Sequence, residues 1–136
     1  MSDYIEPIVK LWVLRILVPL ERHRVFIMES GFSNEGVASN LGLEKWINCP
    51  SKKFDGLAIR KQLYQSYEQE TKKASEYHAN KFVTANIKML SQLIGLNDID
   101  CKILTFVIYL HNEKVLDEAV DWFSGPSTLR VVRVLA

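Results

Sequence analysis

Cysteine is scarce in this chain, which holds only Cys49 and Cys101, far apart and without a Cys-x-x-Cys pair. That spacing signals neither a disulfide framework nor a zinc motif, and it leaves a cytoplasmic chain with reduced thiols as the expectation. Glycine is thin as well. Its six copies, at 31, 36, 42, 56, 95 and 125, stand singly, whereas a phosphate-cradling loop needs clustered glycines whose N–H groups converge on one anion. Long apolar runs are missing too: residues 8–20 are broken by Lys10 and Arg15, and residues 103–110 are short, so neither stretch approaches the ~20 residues that cross a bilayer. The first residues, with Asp3 and Glu6 before Pro7, carry acid where a secretory signal carries base. An excess of one charge is also absent. Seventeen Lys and Arg stand against sixteen Asp and Glu, a net charge of +1, which removes the strongly basic balance of many nucleic-acid-binding domains.

What is present is enough apolar material for a core. With 48% hydrophobic and 24% charged residues over 136 positions, the chain reads as one compact domain that buries roughly two-thirds of its unfolded surface without staples or metals. The punctuation is helical throughout, so the expected fold is all-α, a multi-helix domain over 1–136 with a possible subdomain boundary within 43–54.

Pro7 suits the first turn of a helix, and Ile5, Ile8, Trp12, Ile16 and Leu20 follow at helical spacing. Pro19 opposes helical geometry at Val18, which predicts a kink or a new helix there. The second piece is expected to turn Val25, Phe26 and Met28 inward and to stop at Gly31. Ser33 is the expected N-cap of a third helix through Val37, Ala38 and Leu41, ended by Gly42. Residues 42–54, with Asn48, Cys49, Pro50, Ser51, Lys52 and Lys53, read as a connecting loop. Asp55 then caps a long helix to about Tyr77 with Ile59, Leu63, Tyr67 and Ala74 on its inner face. Val83, Ile87, Leu90 and Ile94 step at four, three and four residues and Gly95 stops that helix. Asn97, with Asp98 and Asp100 in the first turn, opens the next. Because residues 103–110 are apolar on every side, that helix is expected to be the central one. A helix over 113–123 and a last one capped by Ser127 complete the reading, and the apolar pattern of 129–136 suggests a chain cut from a longer protein.

The chemistry-bearing residues do not assemble into a signature. His23, His78 and His111 lack a second His at helical spacing. His23, between Arg22 and Arg24, reads as solvated, and His111 as a cation at a helix C-terminus. Cys101 beside Asp98 and Asp100 is a poor nucleophile, because negative neighbours disfavour the thiolate. Asp117, Glu118 and Asp121 read as a solvated face.

Spacing and charge both bear on nucleic-acid binding. Ala38 and Gly42 have helix-turn-helix spacing, but Asn48 and Ser51 stand where apolar anchors belong. A second candidate over 118–134 places Val131 and Val134 at anchor positions with Arg130 and Arg133 as DNA contacts. Residues 97–124, however, hold six acids against Lys102 and Lys114, which repels phosphates. Tyr64, Tyr67 and Tyr77 interleave with Arg60, Lys61, Lys72, Lys73 and Lys81, yet Glu68, Glu70 and Glu76 dilute that stripe to a mixed-charge surface helix.

The C-terminal block, Leu93-Ile94-Gly95-Leu96-Asn97-Asp98-Ile99-Asp100-Cys101-Lys102-Ile103-Leu104-Thr105-Phe106 with Tyr109-Leu110-His111 and Val115-Leu116-Asp117-Glu118-Ala119, resembles the region that precedes the ATPase module in a group of bacterial AAA-family ATPases. The earlier Trp12-Val13-Leu14-Arg15-Ile16-Leu17 and Gly31-Phe32 segments resemble it as well. The resemblance covers most of the chain and lies in apolar spacing. It implies a non-catalytic accessory domain that binds a protein partner, a substrate or the ATPase module of its own chain, with ATP and Mg²⁺ confined to a module outside this sequence. It carries over no catalytic, cofactor or metal residue. Trp46, Trp122 and Phe123 are the partner-binding candidates, each equally able to be core. The C-terminal part of the expected fold is winged-helix-like without a complete wing, as a packing unit that touches no DNA, and the alternative function is a winged-helix or helix-turn-helix DNA-binding regulator.

Overall fold

A computed structural model describes residues 5–122. They form eight helices and a 3-10 turn, with no strand among the described residues: α1 (Pro7–Leu17), α2 (His23–Phe26), α3 (Glu35–Asn40), α4 (Glu44–Ile47), α5 (Gly56–Lys72), the turn Ala74–Glu76, α6 (Lys81–Ile94), α7 (Asp98–Asn112) and α8 (Lys114–Val120). The fold is all-α.

The central helix is α1, not α7. Val9, Leu11, Trp12, Val13, Leu14, Ile16 and Leu17 are all buried, with α5 and α8 packed along it and α2 across its end. In α7 only Phe106 and Tyr109 are buried. The apolar run of α7 is thus only half-covered, while Lys10 and Arg15, which interrupt the run of α1, are half-buried among its buried neighbours. Lys10 Nζ reaches Glu70 Oε1 on α5 at 3.8 Å.

Pro7 occupies the first turn of α1, and the helix stops at Leu17 ahead of Pro19. The chain then starts a new helix rather than kinking, through a turn in which Glu21 takes a left-handed φ of 57°. Helix α2 is one turn long. Beyond it Ile27 and Phe32 form an isolated antiparallel bridge, closed by Met28 N–H donating to the Gly31 carbonyl at 2.8 Å. That tight turn leaves Val25 and Met28 exposed, against the expectation that they face inward, while Phe26 is fully buried against Phe32 and Trp122.

Asn34, one residue later than the expected Ser33, caps α3: its Oδ1 accepts from Val37 N–H at 2.9 Å. Its amide donates to Glu118 Oε2 on α8 at 2.9 Å, tying the two helices together. Helix α4 lies inside the segment read as a loop, reached through Gly42 at a φ of 78°. Asp55 caps α5 as the sequence predicts, accepting from Leu57 and Ala58 N–H at 3.1 Å each. Ile59 and Leu63 are buried, Tyr67 and Ala74 half-buried, and the helix ends at Lys72, short of Tyr77.

Gly95 stops α6 in the left-handed region at a φ of 71°, its N–H and that of Leu96 both returning to the Ser91 carbonyl. Two residues on, Asn97 and Asp100 form a reciprocal capping box on α7. Asn97→Ala removes the side-chain half of that box, and the expected loss is about 1 kcal/mol, seen as a fall of a few degrees in Tm by circular dichroism.

Candidate functional site

Among the described residues, most of the exposed large hydrophobic side chains lie on the α6–α7 hairpin. Phe82, Met89, Leu93, Ile94 and Ile99 are between 62% and 75% exposed, and Leu90 is 38% exposed. Helix α6 carries two stripes. The inner one, Val83, Ile87, Leu90 and Ile94, faces α7 near its start, where Ile87 is buried and Val83 half-buried. The outer one, Phe82, Asn86, Met89 and Leu93, has the same four-three-four spacing one residue earlier, and it runs roughly 100° around the helix from the inner row. Both stripes are real helix faces, but α7 covers only part of one. Towards the Gly95 turn even the inner Ile94 emerges.

The hairpin is anchored to the body by aromatic rings. Trp12 on α1 meets Phe106 edge-on at 5.1 Å and Tyr109 at 5.3 Å between ring centroids. Tyr109 Oη donates to Glu6 Oε2 at 2.7 Å and accepts the Asn80 N–H at 2.7 Å, so one hydroxyl joins the starts of α1 and α6 to the end of α7. Between α1, α6 and α7 lies a cleft of about 600 Å³, floored by Trp12 and Ile87 and rimmed by Arg15, Lys88 and Lys102, with no carboxylate among its lining residues.

A second, acidic junction lies at the α7–α8 join. Burial, and then the nearby Glu6 carboxylate, hold the Glu113 carboxyl above its usual range. A carboxyl raised on folding contributes stability that is present below its ordinary pKa and lost as pH rises through the folded value. Glu113→Gln is therefore expected to unfold at a higher temperature than the parent at neutral pH, with the difference vanishing below the ordinary carboxylate range. Thermal melts across that range check the sign.

The residues singled out from the sequence fall in different places. Trp46 is half-buried on α4, its indole N–H donating to Gln62 Oε1 at 3.5 Å and its ring edge-on to Phe54. Trp122 is half-buried and packs on Phe26 at 5.2 Å. These two sit on different elements from the α6–α7 hairpin. Phe123, Arg130 and Arg133 lie outside the described residues, as does the proposed helix after Ser127. His23, expected to be solvated, is buried, with Nδ1 donating to the Leu17 carbonyl at 2.9 Å. Cys101 and His111 are separated by about 15 Å along the α7 axis, too far to act together. Glu118 is committed to Asn34 and, at 3.8 Å, to Lys114. No group of three or more His, Cys, Asp or Glu among the described residues could hold a metal ion, and no described helix is long and apolar enough to cross a membrane.

Sequence inspection missed Phe82, Met89, Leu93 and Ile99 as surface residues. The signal that finds the three on α6 is the duplicate four-three-four spacing, since one neighbouring helix cannot cover two faces of α6; Ile99 on α7 has no such signal. No protein-family model, curated protein or solved structure matches the chain.

Proposed function

We propose that this chain is a non-catalytic helical accessory domain, of the kind that precedes the ATPase module of an AAA-family protein, and that it accepts an amphipathic helix of a protein partner on the outer face of α6. The observation that carries the binding role is the exposed row Phe82, Met89 and Leu93 on an ordered, capped helix. Rows at four-three-four spacing interdigitate with the side chains of another helix, and an apolar row leaves water only when such a partner covers it. Support for the family role comes from the resemblance of residues 93–119, which span the end of α6, the Gly95 turn, the capping box and most of α7 and α8. ATP and Mg²⁺ belong, on this reading, to the downstream module, and the accessory domain couples partner to motor.

The reading frame beyond codon 136 and the intact mass of the endogenous product test this. The expected product is well above 15.7 kDa and carries a Gly-x-x-x-x-Gly-Lys-Ser/Thr loop downstream. An endogenous product of 15.7 kDa would overturn the ATPase reading.

A further inference from the structure

We propose that the helix seated on the outer face of α6 is α6 of a second copy of this chain, running antiparallel to the first. The outer row is close to its own complement under a two-fold axis placed between Asn86 and Met89. Phe82 of one copy then faces Leu93 of the other, and Asn86 faces Met89, so the two large end residues pair and the row closes without an unpaired position. The two Asn86 side chains stand about 4.5 Å apart along the axis, within reach of each other. A single polar position in an otherwise apolar helical seam fixes register and orientation. Ala85, on the flank of the row, leaves room for close approach of the two backbones.

Charge favours the antiparallel sense. Lys81 opens α6, and the start of a helix carries the positive end of its dipole. The far end of α6 is the negative end, and it is followed at once by Asp98 and Asp100. Antiparallel pairing sets Lys81 of each copy against the acidic end of the other, whereas parallel pairing sets Lys81 against Lys81.

The area also fits. Phe82, Met89 and Leu93, the apolar members of the outer row, at their observed exposures offer roughly 300–400 Å² of surface per copy. A standard interface removes about 800 Å² per partner, a little over half of it apolar, so the row supplies the larger part of the apolar share that a stable dimer needs.

This inference rests on the binding role proposed above, and the two readings fail separately, because the size of the natural product says nothing about self-pairing. Sedimentation equilibrium of the purified 136-residue chain at roughly 100 µM, well above micromolar dissociation constants for interfaces of this size, is expected to give twice 15.7 kDa. Leu93→Asp is expected to give the monomer mass with unchanged helicity, and Leu57→Asp, at an equally exposed residue on α5, to leave the dimer intact. In a Cys49→Ser, Cys101→Ser background, a mixture of Phe82→Cys and Leu93→Cys chains is expected to cross-link on oxidation, while neither cross-links alone. A monomeric parent chain, a dimer that survives Leu93→Asp, or cross-linking of Leu93→Cys by itself would each overturn the proposal.

Discussion

Trp12→Ala is expected to remove about 3–5 kcal/mol of folding stability, the cost of truncating a fully packed large aromatic. The indole is 4% exposed and is the side chain against which both buried residues of α7 rest edge-on, Phe106 and Tyr109. Each such ring pair adds about 0.5–1.5 kcal/mol beyond its area, so the loss falls on the attachment of the hairpin more than on the rest of the core. A domain of this size has about 5–15 kcal/mol in hand, and the substitution uses a large part of it. Urea unfolding followed by far-ultraviolet circular dichroism gives the total. Hydrogen exchange gives the location: amides of α6 and α7 are expected to lose protection before those of α1 and α5. Uniform loss of protection across all four helices would show that the indole supports the whole core equally.

Tyr109→Phe is expected to cost about 2 kcal/mol at neutral pH. The ring and its packing on Trp12 remain, but the Asn80 N–H loses an acceptor and the Glu6 carboxylate loses a donor, and a hydrogen bond to a charged group contributes about 1.5–3 kcal/mol. The effect has a pH signature. Burial and the bond to Glu6 push the Tyr109 phenol up to about 12 from 10.0. A phenol raised on folding contributes stability that is whole below 10.0 and is lost as pH rises towards the folded value. The gap between the parent and Tyr109→Phe is therefore expected to narrow through that alkaline window. Tyr77, which donates to Glu70, is also pushed up to about 12, first by that bond. Absorbance titration is expected to show one late phenol fewer in the variant than in the parent. An unchanged number of late phenols in Tyr109→Phe would contradict the assignment.

Local signals in the sequence locate several helix ends, those of α1, α5, α6 and α7. Pro7, Asp55, Gly95 and Asn97 act within one turn of themselves, through a missing N–H, a carboxylate acceptor, a left-handed φ and a capping amide, so their effect is readable without knowing what packs where. Helix α4 escaped because Leu43 at its N-cap offers no side-chain acceptor and Pro50, Lys52 and Lys53 follow closely. The choice of central helix went astray for a different reason. Burial is decided by how many neighbours arrive, and α1 receives α5, α8 and α2 whereas α7 receives mainly α6 and α8. The uncharged apolar run over 103–110 draws the eye to α7, whereas the more densely apolar α1 is interrupted by Lys10 and Arg15. The exposed outer row of α6 is masked by the inner stripe: Val83, Ile87, Leu90 and Ile94 already account for an amphipathic helix, so Phe82, Met89 and Leu93 one position earlier stand out only by their exposure. Trp46 and Trp122 drew attention for their size, yet each has core neighbours in Phe54 and Phe26.

The burial of α1 on nearly all sides has a consequence for how the chain is made. Among the described helices it comes first in the chain, and the residues that cover it are made much later, α5 from Gly56 and α8 only from Lys114. At the usual pace of about 5–20 residues per second, seven buried apolar side chains wait roughly 5–20 s for their partners. During that interval the nascent chain leaves its most deeply buried helix uncovered, and early collapse onto that helix by whatever apolar segment comes next competes with the native packing.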